Sequence, residues 1–304
     1  MLSILEYLLG KNTKSRSPIK ATNETIKEIV TKELEIQGND ADLTHIDVSE
    51  VTNFTELFYH LQEFNGDISN WNMSNAKKTT RMLDFCKSFN CDISSWSLKS
   101  VKDATGMFSW CDSLETFPEL PSMTMDTACY REMFLQCKSL KTAPELPATK
   151  MKFHCYESMF KNSGLVEAPE LPAMDLEHGC YWAMFAGCKN LTKAPELPAT
   201  ALWENCYREM FARCSSLKEA PALNSTRLSR SCYSSMFCEC EVLEKAPDLT
   251  ATNLMPQCYD RMFKSCKKLK ELPNIASNGW TRELYGEKMF LFTPIGNKLK
   301  KQQQ

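Results

Sequence analysis

At 304 residues the chain has room for two ordinary domains, and 43% hydrophobic with 10% aromatic residues supplies a sizeable buried core, which excludes a disordered chain. Its 36 Lys and Arg against 38 Asp and Glu leave a formal net charge of -2 at pH 7, so no large charge excess points to nucleic acid or an anionic membrane. Fifteen cysteines suggest disulfides in a secreted chain, but buried thiols or metal ligands in a reducing compartment.

The start, "MLSILEYLLGKNTK", carries an apolar run of about nine residues, interrupted by Glu6 and lacking a preceding basic region, unlike a secretory signal peptide. No segment approaches the roughly 20 apolar residues of a membrane span. Cytoplasmic synthesis is therefore expected. Residues 1–20 read as an N-terminal segment and linker, with residues 1–15 a candidate anchor to a larger assembly and packing on the following helix the alternative. Over 21–42, Ile26, Ile29, Val30 and Leu34 form one stripe, Asn23 is a candidate N-cap and Gly38 follows the end, which predicts a capping helix.

Residues 43–292 are repetitive. Aligned Met-Phe pairs place their second residue at Phe58, Leu83, Phe108, Phe134, Phe160, Phe185, Phe211, Phe237, Phe263 and Phe290, giving about ten units of 25 to 27 residues. A period this constant predicts a solenoid whose units bury their apolar faces against one another. Two dialects occur: "FNGDISNWNMSNAKKTTRML" early, and "APELPAT" followed by "CYxxMF" from about Leu114 onward. Within a unit Cys155, Met159 and Ser163 stand at i, i+4 and i+8, which predicts a helical face. The "APELP" segments predict strands of two to four residues with Pro144, Pro169, Pro195, Pro221 and Pro247 at their ends or at bulges, since proline lacks a ladder donor. Residues 293–304 read as a polar, frayed tail.

The recurring cysteines invite chemical readings. Zinc sites bring cysteines together at short spacing, whereas these pairs are separated by seven residues, about 12 Å along a helix. Equivalent thiols in stacked units lie near disulfide range, but buried reduced thiols packing as small apolar groups are the stronger reading. Thiol catalysis needs an adjacent base, and only His45, His60, His154 and His178 exist. No phosphate loop or paired-carboxylate motif stands out, so no enzyme, metal or cofactor is expected. The methionine column, Met133 and Met159 among its members, is in phase with phenylalanine and reads as core filling.

Function in a stacked repeat belongs where the units disagree. Between Tyr and Met the units carry Arg131-Glu132, Glu157-Ser158, Trp182-Ala183 and Arg208-Glu209, so Trp182 stands out. Three residues before the first cysteine run Asp126, Lys152, Glu177, Trp203, Ser229 and Met255; two after the phenylalanine, Trp110 replaces Gln136, Asn162, Gly187 and Arg213. Trp110, Trp182 and Trp203 are therefore candidate partner contacts, with isolated surface aromatics resting on their neighbours as the alternative. Trp71 and Trp96 match each other and belong to the scaffold.

"MFxxCxSL" followed by "APELPAT" resembles the BspA-like bacterial leucine-rich-repeat surface family, and "DISNWNMSN" resembles related repeats of mycoplasmal and gut-bacterial surface proteins. The resemblance, over roughly 43–290, implies a leucine-rich-repeat-like α/β solenoid, with short parallel strands on one face and short helices on the other. It also implies no catalytic activity and a role in adhesion or binding a protein or surface-glycan partner. Similar repeats occur in phages of gut bacteria. This chain shows no signal peptide, wall anchor or lipid-attachment cysteine, so a virion or other accessory protein assembled inside a cell, anchored by its N-terminal segment, stands beside an adhesion protein displayed by a non-classical route.

Overall fold

The computed structural model describes residues 17–121, 128–271, 273–276 and 288–301. The candidate anchor at 1–15 and most of the last repeat unit, 277–287, lie outside the described residues. Among those described, regular elements are few: strand β1 (Ile19–Lys20), helix α1 (Ile26–Gln37), strand β2 (Ile46–Asp47), strands β3 (Lys150–Met151) and β4 (Asp175–Leu176), and helix α2 (Pro294–Lys301). β1 pairs with β2 and β3 with β4, both in parallel.

Helix α1 turns Ile26 and Val30 inward to cover the first unit, and Gly38, at φ 79°, closes it with its N–H on the carbonyl of Leu34 at 2.8 Å. Asn23 is not its cap. The carboxamide oxygen of Asn23 instead accepts the backbone N–H groups of Thr52 and Asn53, at 2.9 and 3.0 Å, and so ties the approach to α1 onto the stack.

The "CYxxMFxxC" segments are not helices. They are runs of turns in which every fourth residue is left-handed: His154, Ser158 and Asn162 have φ of 56°, 54° and 58°, and Asn205, Glu209 and Arg213 repeat this at 58°, 56° and 62°. Backbone hydrogen bonds then alternate in direction. Glu157, Met159, Lys161 and Ser163 donate three residues back within their own unit, at 3.0 to 3.2 Å. Tyr156, Ser158, Phe160 and Asn162 donate to Cys180, Trp182, Met184 and Ala186 of the next unit, at 2.8 to 3.0 Å. Donors and carbonyls along the run are thereby paired inside and between units, as buried backbone requires. The side-chain period is four rather than 3.6, which keeps Cys155, Met159 and Ser163 in line and turns Tyr156 and Phe160 into the same core. No Val, Ile or Thr occupies a left-handed position among the described residues, consistent with the severity of that conformation for β-branched side chains.

Equivalent side chains form columns. Phenylalanine rings from Phe108 to Phe290 stack at 5.6 to 5.9 Å, and tyrosine rings from Tyr130 to Tyr259 at 5.8 to 6.0 Å. One core cluster runs from Ala21 to Ile295. Trp71 and Trp96 lie inside it, each indole N–H on a carbonyl of the preceding unit, Leu43 at 3.1 Å and Ile68 at 3.2 Å. The segments before the prolines contribute single parallel bridges, Glu167 to Lys193 to Glu219 to Lys245 to Glu271, a column of alternating charge. Residues 294–301 are not a frayed tail: the Thr293 hydroxyl accepts the N–H of Gly296 at 2.9 Å, Pro294 occupies the first turn, and α2 follows with Ile295 buried.

Candidate recognition surface

The thiols are the first candidates for chemistry, and their surroundings suppress it. None of the fifteen cysteines is joined in a disulfide, and all but Cys91 and Cys238 are buried. In the second cysteine column each named sulfur donates to a phenylalanine carbonyl of the preceding unit: Cys188 to Phe160, Cys214 to Phe185, Cys240 to Phe211 and Cys266 to Phe237, at 3.0 to 3.1 Å. Loss of solvation on burial pushes the Cys155 and Cys188 thiols up to about 11 and those of Cys206 and Cys266 to about 12, so they are neutral and poor nucleophiles near pH 7. Because these segments are turns, the 12 Å separation inferred from helical rise does not apply; a carbonyl partner for the sulfur is what the geometry supplies instead.

The three tryptophans meet different fates. Trp110, left-handed at φ 59°, lies on Phe85 at 5.0 Å, with Phe85 on His60 at 4.6 Å, and is half-buried. Trp182 is half-buried among Ala183, Ala186 and Ala212, with the Arg208 guanidinium 5.0 Å above its ring. Trp203 is 56% exposed.

Trp203 has company. Its ring lies 5.2 Å from His178, which stacks at 5.3 Å on Phe153, and all three line a groove of about 640 Å³ with Met174 above the buried Met151 and Leu176 of β3 and β4. Phe153 and Met174 are 43% and 53% exposed. Both depart from their columns: Phe153 stands where other units have His178, Glu204, Arg230 and Pro256, and Met174 where they have Thr149, Thr200, Thr226 and Thr252. Neither is a tryptophan, and each stands out only against its own column. Lys152 and Glu177 close the rim with an ion pair at 2.9 Å, and Glu204 approaches His178 at 4.0 Å.

Residues 25–146 match the family model described as Mycoplasma protein of unknown function, DUF285. The match relates the first part of the chain to a repeat family. It takes in α1 and the early units and ends before the groove begins at Lys150. No curated protein and no solved structure matches the chain.

Proposed function

We propose that the chain is a leucine-rich-repeat-like solenoid serving as a non-enzymatic protein-binding module, with Phe153, Met174 and Trp203 as its contact surface. The observation that carries this reading is convergence: three separate columns, in which most units carry a polar or charged residue, place a large apolar one at the same groove. Core stacking requires none of these exchanges, and exposed apolar area of this kind is unfavourable unless a partner covers it. The in-register parallel bridges and ring columns support the solenoid, and the neutral, carbonyl-bonded thiols support a role without catalysis.

A photo-crosslinking amino acid at position 203 or 174, expressed in the native cell, tests the reading. A discrete protein adduct is expected at both positions and not at Lys268, an exposed position on another unit. Adducts of equal yield at all three positions, or none at 203 and 174, would remove the case for this surface.

A further inference from the structure

The described arginines divide sharply. Arg81, Arg131, Arg208, Arg213 and Arg261 each have a carboxylate within 4.0 Å. Arg227 and Arg230 have no ion pair or side-chain hydrogen bond among the described residues, and both are exposed. These two belong to the unit next to Trp203 and bracket it: Leu202 donates its N–H to the Arg227 carbonyl, and Asn205 to the Arg230 carbonyl, each at 3.2 Å. Between them in sequence stands only Leu228, buried, and Ser229, the small occupant of the Trp203 column. One edge of the apolar groove thus adjoins two exposed arginines, Arg230 following Glu204 in its column, and neither has an ion pair within 4.0 Å among the described residues.

Resting on the binding-module reading, we infer that the partner is an acidic peptide segment, which seats a large apolar side chain on Phe153, Met174 and Trp203 and directs carboxylates to Arg227 and Arg230. Arginine holds a carboxylate through paired donors, a geometry it reaches without the strong hydration of lysine. An apolar anchor with charged groups at its rim is the usual energetic division of a peptide site. An acidic sugar would share the guanidiniums and could stack on Trp203, but its hydroxyls need polar partners. Here Met151, Met174, Leu176 and Ala201 line the groove beside the aromatic rings, and of its polar lining Lys152 and Glu177 are already paired with each other, which favours a side chain over a sugar ring.

The test is selection of a displayed library of random twelve-residue peptides on the immobilised full chain, alongside binding of acidic and neutral oligosaccharides. Enriched peptides should carry Asp or Glu next to Trp, Phe, Leu or Met. Their affinity should fall about tenfold or more in Trp203→Ala, by a similar factor in Arg227→Gln/Arg230→Gln, and further as salt shortens the reach of the charges. Circular-dichroism melts of each variant confirm that it folds, and Phe153→Ser serves as a second probe of the groove should Trp203→Ala melt early. Peptides enriched for Lys and Arg overturn the inference, as does absence of enrichment, or oligosaccharide binding lost in the same variants without peptide binding. Peptides that bind wild type and Trp203→Ala equally also overturn it, while leaving a binding module at another surface.

Discussion

Ser235 sits in a left-handed column, at φ 55°, with Arg81, Gly106, Glu132, Ser158, Ala183, Glu209 and Arg261 as its counterparts at φ 50° to 60°. Gly106 shows that glycine fits this place. The left-handed conformation costs an L-residue about 1–2 kcal/mol, and glycine removes most of that while adding about 0.5–1 kcal/mol of unfolded-state entropy to be lost. Ser235→Gly should therefore stabilise the fold by about 0.5–1 kcal/mol. Ser235→Val should destabilise it by about 1–3 kcal/mol, because the β-branched side chain meets the strained backbone. Thermal unfolding followed by far-UV circular dichroism reads both, and the glycine variant should melt about 1 °C higher. A helix predicts the opposite order: glycine costs about 1 kcal/mol in a helix interior, and valine is tolerated. A lower melting temperature for Ser235→Gly with near-normal melting of Ser235→Val would refute the turn-run account of every unit.

Three further outcomes follow from the core and its surface. Burial raises the thiol pKa values, so the unfolded chain ionises first: stability is full below the unfolded value near 9, and is lost as pH rises toward the folded values of about 11 to 12. Stability should fall steeply between pH 9 and 11, by on the order of 1 kcal/mol per buried thiol at pH 10, read as falling melting temperatures; a flat profile there would contradict the buried-thiol column. Trp182→Ala should cost about 2 kcal/mol, given its half-buried packing and the Arg208 contact, whereas Trp203→Ala should melt within about 0.5 kcal/mol of wild type; equal losses in urea titrations would contradict their different burial. Lys193→Glu places a third carboxylate between Glu167 and Glu219 in the bridge column and should cost about 1 kcal/mol in low salt, with the loss shrinking in high-salt melts.

The repeat period and much of the core were legible in the residues: the Met, Phe and Cys columns of the second dialect are buried, and the Tyr and Leu columns join them from Tyr130 to Leu269. The local conformation departs from the helical expectation because i, i+4 and i+8 fit two periods. On an α-helix the third residue has turned about 80° from the first, while a four-residue period leaves Cys155, Met159 and Ser163 aligned. The absence of β-branched residues at 154, 158 and 162 was the available hint. At the candidate site Trp203 was legible from its own column, but Phe153 and Met174 required the same comparison in columns without tryptophan. Nothing in the residues alone separated the exposed Trp203 from Trp182 and Trp110. That distinction depends on Arg208 and Phe85 reaching across from neighbouring units.

Phe160 offers a carbonyl that already accepts the Ser163 N–H at 3.0 Å, and its second lone pair faces the Cys188 sulfur at 3.0 Å. The place wants a small apolar side chain with a weak donor. Alanine has no donor, while a hydroxyl carries a larger desolvation cost when imperfectly paired, so a thiol meets both demands. Ser163 is the exception in the column, and its hydroxyl finds the Cys188 sulfur at 3.4 Å as a partner. Recurrence of a reactive residue type in this chain therefore follows from inter-unit hydrogen bonding. The residues that core stacking does not demand, Phe153, Met174 and Trp203, are the ones on which the proposed contact surface rests.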